Sequence, residues 1–417
     1  MSDLALLGGP RTITELPPDF GLWPMAGAEE EAAVLEVLRG GDWSLPQVTF
    51  DFEREFAAYV GAPFALAHNN GTSAIHAALF AVGVKPGDEV IAQSYTYWAT
   101  MMPALCVGAI PIFAEVEERT LGLDPEDVER KITSRTRAIV VVHLHGQPAD
   151  MDAINALARP RGIAVIEDAS HAHGAKLNGR SIGMLGDVGA FSLQSSKLLP
   201  SGEGGILVTA EREYYERACL LGHYERIASL ENEAYRRYAR TCYGYKYRIN
   251  PLAAAIARVQ LRHLDERNAK RNHNIDRFHA GLDGLPGLHL VKGVPDAEAV
   301  HYQNAMLFVP GELGGLTRDR FLEACAAEGA GMGGERYDGL HEQQIFLDFD
   351  ADGISETYVV PRRDDGKLRY GHGTLPRTED ILQRVILTPT FAAAEDALVD
   401  LWIAAIRKVI EHHRDLL

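Results

Sequence analysis

The segment FALAHNNGTSAIHAALFAVG (residues 64–83) changes its periodicity partway along. FALAHN is a short apolar run of the kind that forms a buried strand. TSAIHAALFAVG instead repeats its apolar residues at helical spacing. Asn-Asn-Gly-Thr-Ser joins the two, so the segment reads as strand, tight turn and helix. The free amides at such a helix start, the helix dipole and the hydroxyls of Thr72 and Ser73 together offer an anion site. Plain N-capping is the ordinary use of these residue types. The place of this turn after the first strand of a sheet favours the anion.

The same rhythm continues outward. DEVIAQS, PIFAEV, AIVVVHL, GIAVIED, GAFSL and GILVTA follow at intervals, most of them separated by amphipathic stretches. This alternation predicts an α/β domain around a mostly parallel sheet buried on both faces. The loop between GAFSL and GILVTA is too short for a crossover helix, so that pair is open to an antiparallel arrangement. Two helical segments precede the sheet region (28–41 and 50–61). A long helical region follows residue 210, and near residue 285 the pattern shifts to strands such as AMLFVP and helices such as TRDRFLEACAAEG. The expected division is a large domain over 1–285 and a smaller α+β domain over 286–417, with a polar, turn-rich insertion at 346–376.

A chain of 417 residues, 46% hydrophobic and 24% charged, falls in the range of ordinary globular proteins. No apolar run is long enough to span a membrane, and the start MSDLALLGGPRTITELPP lacks the charge pattern of a signal peptide. The net charge of −17 argues against a nucleic-acid surface. Cys106, Cys219, Cys242 and Cys325 are scattered without a CxxC spacing, which reads as buried free thiols in a reducing cytoplasm.

Two residues carry the chemistry. In GIAVIEDASHAHGA (162–175), Asp168 follows a strand directly and so sits on the sheet edge where open α/β folds bind ligands. In FSLQSSKLLPSGEGGILVT (191–209), Lys197 stands among hydroxyls, with Gly202, Gly204 and Gly205 after it. A carboxylate and a lysine at one sheet edge are what pyridoxal 5'-phosphate requires. The lysine amine condenses with the cofactor aldehyde, and the carboxylate keeps the ring nitrogen protonated. A desolvated setting would lower the lysine pKa and make it a better nucleophile. The glycines would let the chain turn tightly beneath a bulky cofactor.

With NNGTSAIHAAL, GVKPGDEVIAQSYTYWAT, HLHGQPADMDAI, VIEDASHAHGA, GDVGAFSLQSSK and SGEGG in place, the chain resembles the DegT/DnrJ/EryC1/StrS family of sugar and cyclitol aminotransferases. The resemblance runs from about residue 20 to 285 and more weakly beyond. It implies an aspartate-aminotransferase-like (fold type I) architecture and a homodimer with active sites at the subunit boundary. By the same resemblance, Lys197 is the cofactor-linking lysine and Asp168 the partner of the ring nitrogen. His171 lies near the ring hydroxyl and Tyr97 stacks on the ring face, with Trp98 beside it as packing. Gly71, Thr72, Ser73 and Ser192 form the phosphate set. The ending SGEGG and the opening LALLGGPR resemble the branch that aminates cyclic ketones, often with glutamine as donor. Lys246, in YGYKYRINPLAAA, stands where the family has an asparagine that reaches the neighbouring subunit's site. His145 replaces a common tyrosine, and HYQNAMLFV and the 346–376 insertion fit the family poorly.

The expectation is therefore a transaminase moving nitrogen from glutamine or glutamate to a cyclic ketone. A dehydratase or lyase on the same fold and a non-catalytic regulator are the alternatives; the family's dehydratases carry histidine in place of the lysine. GAGMGG (329–334) matches a dinucleotide fingerprint but follows an amphipathic helix instead of a strand. The pairs in HLHG (143–146) and HAHG (171–174) lack further zinc-like ligands, and HEQQ at 341 is not HExxH, so no metal is expected.

Overall fold

The computed structural model describes residues 2–41, 43–44, 47–335, 337–347 and 370–417. Most of the polar insertion expected at 346–376 lies outside the described residues. Seven strands form the main sheet: β1 Phe64–His68, β2 Glu89–Gln93, β3 Ile110–Ala114, β4 Thr136–Val142, β5 Ala164–Asp168, β6 Val188–Ser192 and β7 Gly205–Thr209. Their spatial order is β1-β7-β6-β5-β4-β2-β3. Strands β2 to β6 pair in parallel. β7 runs antiparallel to both β6 and β1, which is the arrangement the short connection between the last two strands allowed.

Alternate residues along each strand enter opposite cores, as the two-residue period demands. From β4, Ile139 and Val141 pack on one face with Phe52, Phe56 and Phe191. Ala138 and Val140 pack on the other with Ala74, Ile75 and Ala78 of the helix Gly71–Ala81. The sheet is therefore covered on both sides, and its functional groups can reach solvent only at the strand ends.

A four-stranded antiparallel sheet follows, built from Leu288–Leu290, Asn304–Phe308, Val385–Thr388 and Gly333–Gly334. Its core draws on the helices Leu264–Leu282, Arg318–Glu328 and Asp396–Glu411, and also takes in Leu4 and Ile13 from the N-terminal segment. Gly329 of GAGMGG stops the helix Arg318–Glu328 in a left-handed conformation (φ 98°). A side chain there would meet Ile13 O at 2.4 Å. The glycine run therefore serves a helix end packed on the N-terminal segment, which suits no dinucleotide.

Three cysteines are buried, but Cys106 is exposed at the end of the short helix Met102–Cys106. That corrects the expectation of four buried thiols. Among the described residues no helix is long and apolar enough to cross a membrane.

Candidate active site

The strand register gathers the expected residues at one edge of the main sheet. Asp168 ends β5 and pairs with Ala190 of β6. Ser192 ends β6 opposite Gly205, and Gly205 also pairs with His68 at the end of β1. The helix Gly71–Ala81 starts three residues after β1, and the Lys197 loop spans β6 and β7. The antiparallel strand thus carries the lysine loop alongside the helix N-terminus.

At that N-terminus the Asn70 side chain accepts the Ser73 amide at 2.8 Å. The Ser73 hydroxyl donates inward to Asn69 Oδ1 (2.6 Å) and lies 2.8 Å from Asn70 O. Ser73 is therefore committed to shaping the turn, while Thr72, half-buried, and the first-turn amides at Gly71 and Thr72 remain for an anion. Gly71 is glycine because a Cβ there would lie 2.8 Å from Ser192 Cβ.

Gly205 has a similar cause. A side chain at Gly205 would meet Asn70 O at 2.3 Å and Gly71 N at 2.8 Å. The tight feature is the close approach of β7 to the helix start, and only Gly202 (φ 87°) has the positive φ of a turn glycine. Gly205→Ala is expected to force these backbones apart and cost about 1–3 kcal/mol by overpacking, read as a lowered thermal midpoint with weakened cofactor retention. An unchanged midpoint would show that the approach is not tight.

Asp168 is 5% exposed. Its Oδ2 accepts the Thr100 hydroxyl at 2.7 Å and its Oδ1 the Ser170 amide at 3.2 Å. No cation forms an ion pair with it among the described residues, so a protonated ring nitrogen is a fitting complement. Thr100 carried no signal in SYTYWAT.

Lys197 is the charge that faces this carboxylate. Burial pulls its pKa from the ordinary 10.5 down to about 8, and Asp168 pulls in the opposite direction. Its Nζ stands 4.5 Å from the centroid of the Tyr302 ring. The same ring stacks on His171 at 4.2 Å and 26°, and Tyr302 OH lies 2.9 Å from Ser196 Oγ. Burial, helped by Lys197, holds the His171 pKa well below 6.5. Nδ1 of this neutral ring accepts the His145 amide at 3.4 Å, which places its proton on Nε2. Tyr302 lies in HYQNAMLFV, the stretch that matched the family pattern least.

His145 takes part in a further buried network. Its Nδ1 meets Gln303 Oε1 at 2.9 Å and its Nε2 meets Tyr95 OH at 3.0 Å, while Tyr95 also bonds Glu335. The other histidine of HLHG, His143, is bonded to Glu167 (3.0 Å) and to the Ala149 amide (3.1 Å). Both are occupied as structural histidines. Away from these, His341, Glu342 and Glu379 converge. Glu379, however, already accepts the amides of Gly373 and Leu375 as a helix-capping carboxylate.

Two expected residues share no side-chain hydrogen bond, ion pair or ring contact with this cluster among the described residues. Tyr97 is 41% exposed and packs on Trp98 at 4.8 Å and Tyr337 at 5.8 Å. Trp98, read as packing, is equally exposed. Lys246 is exposed, and no hydrogen bond or ion pair joins it to Asp168, His171 or Lys197 among the described residues.

Pyridoxal phosphate carries an aldehyde, a basic ring nitrogen, a ring hydroxyl and a phosphate. Lys197, Asp168, His171 and the Thr72 helix start offer a matching group for each, on one sheet edge. Because only the uncharged amine attacks an aldehyde, cofactor capture by the apoprotein should accelerate with pH, with a midpoint near 8. Burial disfavours the ammonium form, so the shift is downward, and Asp168→Asn should lower the midpoint further. Stopped-flow absorbance between pH 6.5 and 10 reads it; a midpoint near 10.5 would mean that the amine is solvated.

The DegT/DnrJ/EryC1/StrS aminotransferase family model matches residues 24–359. A Micromonospora echinospora protein, provisionally named an L-glutamine:3-amino-2,3-dideoxy-scyllo-inosose aminotransferase, is 35% identical over 349 residues, covering 82% of each chain. The dTDP-3-amino-3,4,6-trideoxy-alpha-D-glucose transaminase of Streptomyces venezuelae is 40% identical over 274 residues, 66% of this chain and 70% of that one. The crystal structure of S. venezuelae DesV superposes with a TM-score of 0.78 at 33% identity, over 92% of this chain and 95% of that one. With the family model spanning most of the sequence and the sheet edge assembled as described, the chain belongs to the DegT/DnrJ/EryC1/StrS aminotransferase family and is a pyridoxal-phosphate enzyme of fold type I.

Proposed function

We propose that the protein moves the amino group of glutamine or glutamate to a cyclic ketone of the cyclitol or sugar class, in a natural-product or sugar pathway of the cytoplasm. The observation that carries this reading is buried Asp168 facing half-buried Lys197, whose amine is largely desolvated, with no ion pair to the carboxylate from another cation among the described residues. The names of the relatives from M. echinospora and S. venezuelae support the acceptor class.

Pyridoxal phosphate, when bound, supplies a carbonyl for amine exchange and a ring that takes up electrons. Lys197 then serves as the base that takes the proton from the donor's α-carbon, a role its lowered pKa suits near neutral pH. Asp168 holds the proton on the ring nitrogen, and Thr100 fixes the carboxylate that does so. Neutral His171 offers its Nε2 proton to the ring hydroxyl. Gly71, Thr72 and Ser192 would cradle the phosphate, with Ser73 shaping the turn and Tyr97 covering the ring.

The working form in this reading is a homodimer with shared sites. Lys246, exposed beside the exposed rings of Tyr243 and Tyr245, is suited to reach the partner subunit's site as a point charge. Incubation with amine-labelled L-glutamine and scyllo-inosose is expected to yield a labelled aminocyclitol. No transfer from glutamine, glutamate or alanine to any of a panel of cyclitol and sugar ketones would overturn the proposal.

A further inference from the structure

A cavity of about 500 Å³ lies between the N-terminal segment around Trp23, the loop at 389–395 and the lysine loop. Ser196 and Leu198, the neighbours of Lys197 in sequence, line it, and so does Tyr302. Trp23, also in the lining, donates its indole N–H to Lys197 O at 3.1 Å. The cavity and the reactive amine therefore share the Tyr302 ring as a common wall.

Three charged residues line this space: Asp19, Glu395 and Arg271. Arg271 is 2% exposed, and its guanidinium stands 5.1 Å from the Trp23 ring centroid. Among the described residues it makes one hydrogen bond, from Nη1 to Asn268 Oδ1 at 3.1 Å, and its buried Nε has no partner. Asn268 is held in turn by donating to His173 O at 2.9 Å. Neither Asp19 nor Glu395 forms an ion pair with Arg271, and the neighbouring charge that acts on it is Arg267, of the same sign. Burial lowers its pKa to about 10, so it stays charged at neutral pH.

A buried cation without a counter-ion and with unused donors is costly to hold. A structural arginine is normally ringed by carboxylates or carbonyls; this one lines an open cavity with part of its planar donor fork unmet among the described residues. That fork matches a carboxylate in two parallel hydrogen bonds. We propose that Arg271 anchors a carboxylate of the ligand that reacts at Lys197, the rest of the ligand passing Tyr302 toward the amine. This rests on the transaminase reading for its reactants. The carboxylate is either the amino donor's own or an acid group on the acceptor ketone.

Glutarate serves as the probe, since it has two carboxylates and no amine to react. Calorimetric titration of the holoenzyme should show glutarate binding to the wild type, weakened at least about tenfold in Arg271→Met and less in Arg271→Lys, the scale set by hydrogen bonds to a charged group. Uncharged glutaramide should not bind. Steady-state kinetics then separates the sources. A raised KM for the donor alone assigns the donor carboxylate, and a raised KM for the ketone alone assigns an acid acceptor. Should Arg271→Met fail to fold, Arg271→Lys is read in both assays, and wild-type values there would refute the anchor. Equal glutarate affinity in wild type and variant, or no binding to either while glutamine saturates normally, would reduce Arg271 to a brace for Trp23. The titration needs no turnover, so its result stands apart from any failure to transfer nitrogen.

Discussion

Lys197→Ala is expected to lower turnover by on the order of 10⁴-fold or more, because in the proposed reading it removes both the covalent tether and the proton-transferring base. Among the described residues Lys197 is the lysine whose charge acts on His145, His171 and His173, and it is the one that faces Asp168. Among the described residues no second lysine of the same chain acts on these groups. The variant should also lose the near-visible absorbance of the lysine-linked cofactor. Cofactor binding itself should persist, weakened, since the Thr72 helix start and Asp168 do not depend on the amine. Nitrogen transfer at wild-type rate, or an unaltered spectrum, would sink the assignment.

Asp168→Asn carries the second large effect. The substitution keeps the shape and one of the two acceptor oxygens, but removes the negative charge that, in the proposed reading, stabilises a protonated ring nitrogen. Losing one preorganised electrostatic partner typically costs about 10²–10³-fold in kcat. KM should move far less, and the thermal midpoint should stay near that of the wild type, because the Asn oxygen can keep the Ser170 amide while its NH2 donates to the Thr100 hydroxyl oxygen. Asp168→Ala, by contrast, takes the acceptor from the Ser170 amide and leaves the Thr100 hydroxyl with Thr96 alone, and should lose stability as well. If Asp168→Asn retained kcat within a few-fold, the carboxylate would be structural and the ring nitrogen unassisted.

Much of the main sheet is legible because its strands are buried on both faces. Runs such as AIVVVHL have no solvent side, and so no polar alternation, to blur them. The short link between β6 and β7 leaves an antiparallel pairing open by its length, and the structure adopts it. Asp168 could be placed because it follows a strand without a gap. Contacts across long sequence separations were not legible. Thr100 bonds a carboxylate that lies 68 positions later, and nothing in SYTYWAT marks one threonine from another. Tyr302 precedes the strand Asn304–Phe308 and folds back over Lys197 and His171. The glycines after Lys197 suggest a turn beneath the cofactor, whereas Gly205 answers to the backbone of Asn70. Composition reveals that a close approach exists; only the fold reveals to what.

The position of β7 between β1 and β6 also has a consequence for how the chain is made. The first strand leaves the ribosome with no neighbour to pair with, because the strand that holds it is synthesised well over a hundred residues later. At ordinary elongation rates that delay is on the order of ten seconds. Nascent chains arrested before residue 205 should therefore keep the β1 segment open to protease, and chains released beyond residue 209 should protect it.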